Sequence, residues 1–232
     1  METYLFHYFH REIVRKERDY LQAFRQLKAV TVNLDHQVLA NQSLIEGIMA
    51  SLIAALEAKD PYTRGHSSRV SEMSHRIART MGLSAPMCES VRLAGLFHDI
   101  GKIGIADHIL FHKGKLSERD LEEIRSHPLI SVQILEPVDP LHTLLPGVKH
   151  HHENWDGTGY PDGLKGTEIP LAACIIRVAD TYDAITSRRS YRNARDSGVA
   201  LMEIERLGGI WFHPDVVRHV LDLASVPYAS TI

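Results

Sequence analysis

The chain has 232 residues, 44% hydrophobic and 24% charged, which suits a globular protein of one large domain or one domain with an extension. A formal charge of -3 argues against a general binder of nucleic-acid polymers, which would be basic. Fifteen histidines point toward metal, while the two cysteines, Cys88 and Cys174, lie in apolar helical segments and read as buried free thiols of a reducing compartment. No unbroken apolar run approaches the roughly 18–20 residues of a membrane span, so none is expected. The apolar start, Tyr4 to Phe9, is too short for a secretion signal and lacks a basic leader.

Residues 10–57 contain no proline and one glycine, Gly47, and read as one long helix. Ile13, Tyr20, Leu27, Leu34, Asn41 and Ile48 recur every seven residues, and Glu17, Phe24, Thr31, Val38, Ile45 and Leu52 follow each by four. Nine of these twelve are apolar, which favours a dimeric coiled coil, with Asn41 able to fix the register. Asp60-Pro61 ends the helix, because the residue before proline avoids helical geometry.

A second helix runs to about Met81, with Val70, Met73, Ile77 and Met81 as its apolar stripe and His66 in phase with it. Ser84 opens the next helix, which carries Val91, Ala94, Leu96 and Phe97 into His98-Asp99 before Gly101 and Gly104 break it. Ser117 and Asp120 mark another start, and that helix ends near His127-Pro128. A short helix spans Ile130 to Leu135, and a further one leads into His150-His151-His152. Residues 153–170 are rich in Gly, Asp and Pro and read as loop. Pro170 opens an apolar helix from Leu171 to Ile185 that contains Asp180, and two helices, Asp196–Leu207 and Pro214–Ala224, close the chain. No alternating strand pattern of useful length occurs, so the fold class is all-α.

The polar residues in apolar settings carry the chemistry. His66, His98, Asp99, His127, His151, His152 and Asp180 make five imidazoles and two carboxylates, close to a complete shell for two metals. A buried carboxylate such as Asp180 needs a cation partner. Adjacent ligands such as His98 and Asp99 can reach one centre only where the backbone is irregular or two metals share a ligand. Lys102, three residues on, suits a phosphate oxygen.

In order and spacing, Asp60-Pro-Tyr-Thr-Arg-Gly-His66, His98-Asp-Ile-Gly-Lys102, His127-Pro128, His151-His-Glu-Asn-Trp-Asp-Gly-Thr-Gly-Tyr-Pro161 and Val178-Ala-Asp180 resemble the HD-GYP family, a branch of the HD metal-dependent phosphohydrolases. Tyr182-Asp183-Ala184, Arg189 and Tyr191-Arg192 extend the match, which covers residues 57–220. The resemblance implies an HD-type helical bundle at 58–232, preceded by a signalling helix at 1–57. It implies a bacterial cytoplasmic phosphodiesterase that hydrolyses cyclic di-GMP, to the linear dinucleotide pGpG, through a metal-bridging hydroxide. Carried over, the metal ligands are His66, His98, Asp99, His127, His151, His152 and Asp180, with Asp99 bridging two divalent ions. Iron or manganese is expected, with nickel and zinc accepting the same donors. Asp99 and Lys102 are the catalytic pair, and Lys102, Tyr160, Arg189 and Arg192 contact the substrate.

Tyr62 stands four residues before His66, where some relatives carry a glutamate for a third metal, so two metals are expected. His150 reads as structural or as support for the ligands, Glu153 and Asp183 as groups that orient ligand histidines, and Asp156 and Asp162 as turn residues. The partners expected are a second copy of the chain, bound through the N-terminal helix, and an upstream sensor or a diguanylate cyclase. Two other functions compete: hydrolysis of another cyclic dinucleotide such as cyclic GMP-AMP, and a non-catalytic module that senses cyclic di-GMP.

Overall fold

A computed structural model of the chain describes residues 2–59, 65–112, 114–187 and 196–225. The expected end of the first helix at Asp60-Pro61 lies outside them, as do Tyr62, Arg189, Tyr191 and Arg192. Among the described residues ten α-helices follow in order: α1 (Glu2–Lys59), α2 (His66–Thr80), α3 (Ala85–Phe97), α4 (Asp107–Leu110), α5 (Glu118–Arg125), α6 (His127–Leu135), α7 (Leu145–His150), α8 (Leu171–Thr186), α9 (Ser197–Arg206) and α10 (Pro214–Ser225). Short 3-10 turns occupy Ile100–Gly104, Asp139–Leu144 and Gly166–Glu168. Among the described residues there is no strand, only an isolated bridge between Gly208 and Phe212.

The chain forms two compact units, Met1–Ser51 and Leu52–Ile232. The first is a single helix whose heptad residues Ile13, Tyr20, Phe24, Leu27, Leu34 and Val38 are exposed. One stretch of 18 residues within His10–Lys59 is, by length and composition, apolar enough to cross a membrane. A window average passes where unbroken runs do not, because it tolerates isolated charges that break a run. Length and composition fit a seam between two helices equally well.

In the second unit Ile53 and Leu56 of the last α1 turns are buried. Lys59 then donates to the Ile103 and Ile105 carbonyls at 2.7 and 2.6 Å, which fastens the helix end to the turn after the His-Asp pair. Around these, α2, α3, α7 and α8 pack on one another over a core that includes Val70, Ile77, Phe97, Val148, Ile175, Ile176 and Val178. The α2 face is broader than its apolar stripe, since Ser67, Ser71 and Ser74 are buried beside Val70 and Ile77. These small side chains let α3 approach closely: a Cβ on Gly95 would lie 3.1 Å from Ser74 Oγ and 3.2 Å from Ser71 Cα.

Among the helix starts, α6 begins at His127 and not near Ile130, and α4 was not expected from the sequence. Ser117 and Asp120 form a reciprocal capping box on α5. Ser84 takes the N-cap position of α3, but its hydroxyl makes no capping bond, and Pro86 in the first turn leaves one fewer backbone N–H to cap. Asp196 caps α9 by accepting from Gly198 N at 2.7 Å.

Candidate metal centre

All seven expected ligands converge inside the second unit, on five separate stretches of chain. His66 is the first residue of α2, after Gly65 at φ 70, a left-handed conformation that glycine adopts without strain. His98 is the C-cap of α3, and at Asp99 (φ -101, ψ 3) the chain leaves α geometry for a 3-10 turn. That irregularity lets two adjacent side chains face one site. His127 opens α6, His151 and His152 follow α7, and Asp180 lies within α8.

Gly101 sets the spacing between two of these stretches. A Cβ there would lie 2.0 Å from the His127 carbonyl oxygen and 2.6 Å from Ser131 N. Only glycine allows the His-Asp turn to rest on the start of α6, where Gly101 N donates to Ser131 Oγ at 2.8 Å.

The ligand atoms fall into two groups, Asp99 with His127, His151 and His152, and His66 with His98 and Asp180, each spanning no more than 4.8 Å. Asp99 reaches both. Its Oδ1 lies 3.2 Å from His127 Nε2, and its Oδ2 lies 3.3 Å from His98 Nε2 and 3.7 Å from His66 Nε2. His66 Nε2 is also 3.4 Å from Asp180 Oδ1.

The imidazoles are fixed by their other nitrogen. His98, His127 and His151 each place Nδ1 2.7–2.8 Å from the carbonyl three residues earlier, Gly95, Ile124 and Val148. A carbonyl only accepts, so Nδ1 carries the proton and Nε2 turns inward. His66 begins its helix and has no such helical carbonyl behind it. Its Nδ1 instead meets Asp183 Oδ2 at 2.7 Å, and Asp183 also accepts from Arg69 Nε at 2.5 Å and Ser187 Oγ at 3.0 Å. Asp183 thus orients His66, a candidate ligand.

The arrangement leaves atoms that suit a cation. His98 Nε2 and Asp99 Oδ1 are buried without a hydrogen-bond partner. His127 Nε2 and His151 Nε2 face one another at 3.3 Å although both rings carry their proton on Nδ1. Two lone pairs in that position repel unless a cation or a proton lies between them. The donors are imidazole and carboxylate without thiolate, a set for borderline to hard divalent ions, so residues and metal fit.

The electrostatics agree. Burial pushes the Asp99 carboxyl up, but Lys102 and His98 outweigh it and hold it well below the usual range. Burial drives His151 and His152 well below the ordinary imidazole value, helped by neighbouring histidines, which keeps them in the neutral form that ligates metal. Burial also opposes the charge on His98, yet the neighbouring Asp99 leaves its value raised. Lys102 Nζ sits 2.6 Å from Asp99 Oδ2.

Beside the metal groups, Tyr160 stacks on His152 with ring centroids 4.8 Å apart, and the Arg125 guanidinium lies 5.8 Å from the Tyr160 centroid. Gly159 is needed here, since a Cβ would lie 2.3 Å from Asn154 N and 2.4 Å from Glu153 Cα. Glu153 differs from expectation. It touches no ligand histidine; its Oε1 accepts from Asp162 N and Gly163 N at 2.8 and 3.0 Å and ties the loop together. His150 points away from the cluster, pairing with the Pro146 carbonyl and Asp162. Asp162 also pairs with Lys149 at 2.7 Å, and Asp156 closes a turn by accepting from Thr158 N. Tyr62, Arg189 and Arg192 lie outside the described residues.

A family model described as "HD domain" matches residues 50–216. The chain belongs to the HD domain family. Its motifs and relatives place it in the HD-GYP branch. A Thermotoga maritima protein named cyclic di-GMP phosphodiesterase is 42% identical over 169 residues, covering 72% of this chain and 46% of the relative. A Vibrio cholerae protein named 3'3'-cGAMP-specific phosphodiesterase 3 is 40% identical over 165 residues, covering 70% of this chain and 36% of the relative. The HD-GYP chain thus spans less than half the length of these two curated relatives. A solved cyclic GMP-AMP phosphodiesterase from V. cholerae superposes with a TM-score of 0.60 at 21% identity, over 78% of this chain and 48% of that one, which shows a shared fold.

Proposed function

We propose that this HD-GYP chain is a metal-dependent phosphodiesterase that hydrolyses cyclic di-GMP to the linear dinucleotide pGpG. The observation that carries the reading is Asp99, whose two oxygens face two different groups of histidines while Lys102 touches the same carboxylate. In this reading His66, His98 and Asp180 hold one divalent ion, His127, His151 and His152 hold a second, and Asp99 is shared. Iron and manganese suit these donors, and nickel and zinc would be accepted too. Such ions, when bound, supply Lewis acidity that lowers the pKa of water and neutralises phosphoryl charge. The chain's own part is to hold the donors apart at fixed distances, to keep His151 and His152 neutral, and to present Lys102. The ammonium exchanges the Asp99 carboxylate for a phosphoryl oxygen when substrate arrives. Tyr160, stacked on His152, contacts the substrate, as do Arg189 and Arg192.

Residues 58–232 form the phosphodiesterase domain in this reading, and residues 1–57 form a helix that pairs two copies and receives a signal from an upstream sensor or a diguanylate cyclase. The location is the bacterial cytoplasm. The exposed heptad seam supports the dimer; sedimentation of the 232-residue chain as a monomer at micromolar concentration would remove it. A second substrate has its own support, because a relative 40% identical is named for cyclic GMP-AMP. Incubating manganese-loaded protein with each cyclic dinucleotide tests both readings. Faster formation of pGpG supports the first, and preference for cyclic GMP-AMP supports the second. Binding of cyclic di-GMP without product leaves a sensing module.

A further inference from the structure

Arg177 lies on α8 one turn before Asp180, within the buried run Ala173, Cys174, Ile175, Ile176, Val178 and Ala179. A cation on an apolar helix face is costly unless it is paired. Its Nη2 donates to Asn154 Oδ1 at 2.9 Å, a neutral partner, and its Nε is buried with no partner at all. Among the described residues it forms no ion pair. The guanidinium carbon lies 6.0 Å from the ring centroids of both Trp211 and Phe212, which hold the group in place. Trp211 itself is 42% exposed. Its loop is tied to the Gly-Tyr-Pro loop through Trp155 N to Trp211 O at 3.0 Å and Asp156 N to Ile210 O at 2.8 Å.

This placement brings the cation to the site. Asn154, which accepts from Arg177, is two residues after His152, Tyr160 N donates to the His152 carbonyl at 3.2 Å, and Asp180 is one turn further along α8. A fixed cation therefore stands one turn from Asp180 and is bonded to the loop that follows His152, and it is not the cation that touches Asp99. A cyclic dinucleotide carries two phosphodiesters, and only one can sit on the metals and Lys102 during cleavage. The other brings a negative charge into the same buried region.

We infer that Arg177 is a substrate-positioning residue that binds the phosphate not being cleaved, with Asn154 and Trp211 holding its guanidinium in register. The inference rests on the proposed phosphodiesterase reading. Arg177 serves binding more than the chemical step, so its loss falls on affinity and KM before kcat.

The test uses the manganese-loaded 232-residue chain and two variants. Arg177→Met keeps length and packing but removes the charge, and Arg177→Lys keeps the charge but loses the planar fork. Binding of pGpG by calorimetry, KM and kcat for cyclic di-GMP, and metal content are measured on each. Arg177→Met is expected to weaken pGpG binding and raise KM by about ten- to a hundredfold, the range for a hydrogen bond to a charged group, with two metals retained. Arg177→Lys is expected to recover part of the loss. Binding by Arg177→Met within about twofold of wild type overturns the assignment, as does a loss in both variants that tracks loss of metal, which would make Arg177 a structural prop. If Arg177→Met does not fold, the Lys variant decides alone: wild-type KM in it refutes the need for the fork, and a raised KM with full metal content supports it. Wild-type protein that neither binds pGpG nor cleaves cyclic di-GMP removes the proposed function together with this assignment, whereas normal wild-type turnover beside an unaffected variant removes this assignment alone.

Discussion

Replacing Asp183 by alanine removes the group that aims His66. Its carboxylate accepts from His66 Nδ1 at 2.7 Å and Arg69 Nε at 2.5 Å, and both His66 and Asp183 side chains are nearly buried, at 6% and 8% exposure. Burial alone would raise the Asp183 carboxyl, but His66 and Arg69 hold it well below the ordinary range. A hydrogen bond to a buried charged partner is worth about 1.5–3 kcal/mol. Arg69 is half-exposed, so its pair adds no more than about 1 kcal/mol after solvent screening. Metal-free Asp183→Ala should therefore lose about 1.5–4 kcal/mol of stability. It should also bind metal about 10–100-fold more weakly, because His66 loses its fixed tautomer and ring angle. Asp183→Asn should fall between the two, since its amide oxygen can still accept from His66 while its NH2 faces Arg69. Equilibrium dialysis against manganese with elemental analysis reads the affinity, and melting in chelator reads the stability. If Asp183→Ala binds metal as tightly as wild type, the orienting role is wrong, whatever the melting temperature does.

Two further outcomes follow from the same geometry. Gly101→Ala puts a methyl against the backbone at His127 and Ser131, so thermal melting should show a loss of about 1–3 kcal/mol or more and metal content should drop; unchanged melting and loading would mean the turn does not rest on α6 as described. For pH, Asp99, Asp183, His151 and His152 are all depressed. The histidine contribution to stability is full above the unfolded value near about 6.5 and is lost on acidification below it, and the carboxylate contribution goes below about 3.9. His98 is raised and runs the other way, stabilising at low pH and losing that effect as pH rises through its folded value. With two histidines against one, the melting temperature of chelated protein should fall between about pH 7 and about pH 5; a flat or rising profile contradicts the assignment.

The candidate ligands were legible because polar side chains in apolar settings are conspicuous: His66 lies in phase with Val70 and Ile77, and Asp180 follows Val178-Ala179. Their convergence depended on features with weaker signals. The carbonyls of Gly95, Ile124 and Val148 aim three of the histidines, and backbone acceptors leave no trace in side-chain identity. The buried serines of α2 looked polar, yet they form the close contact with Gly95. Glu153 was expected to orient a histidine, but its carboxylate binds N–H groups at Asp162 and Gly163 nine and ten residues on. Loop geometry decides that choice, and composition does not encode it. Arg177 carried a readable signal, a cation inside Cys174-Ile-Ile-Arg177-Val-Ala, and the rule applied to Asp180 applies equally to it.

The central claim is that Asp99 is shared by two metals. Anomalous scattering from crystals of manganese-loaded protein, with elemental analysis of the same preparation, tests it directly. The account predicts two ions per chain, one against each Asp99 oxygen, and fewer than one ion per chain with no turnover in Asp99→Ala. A single ion in the wild type, or two ions retained by Asp99→Ala, would contradict it.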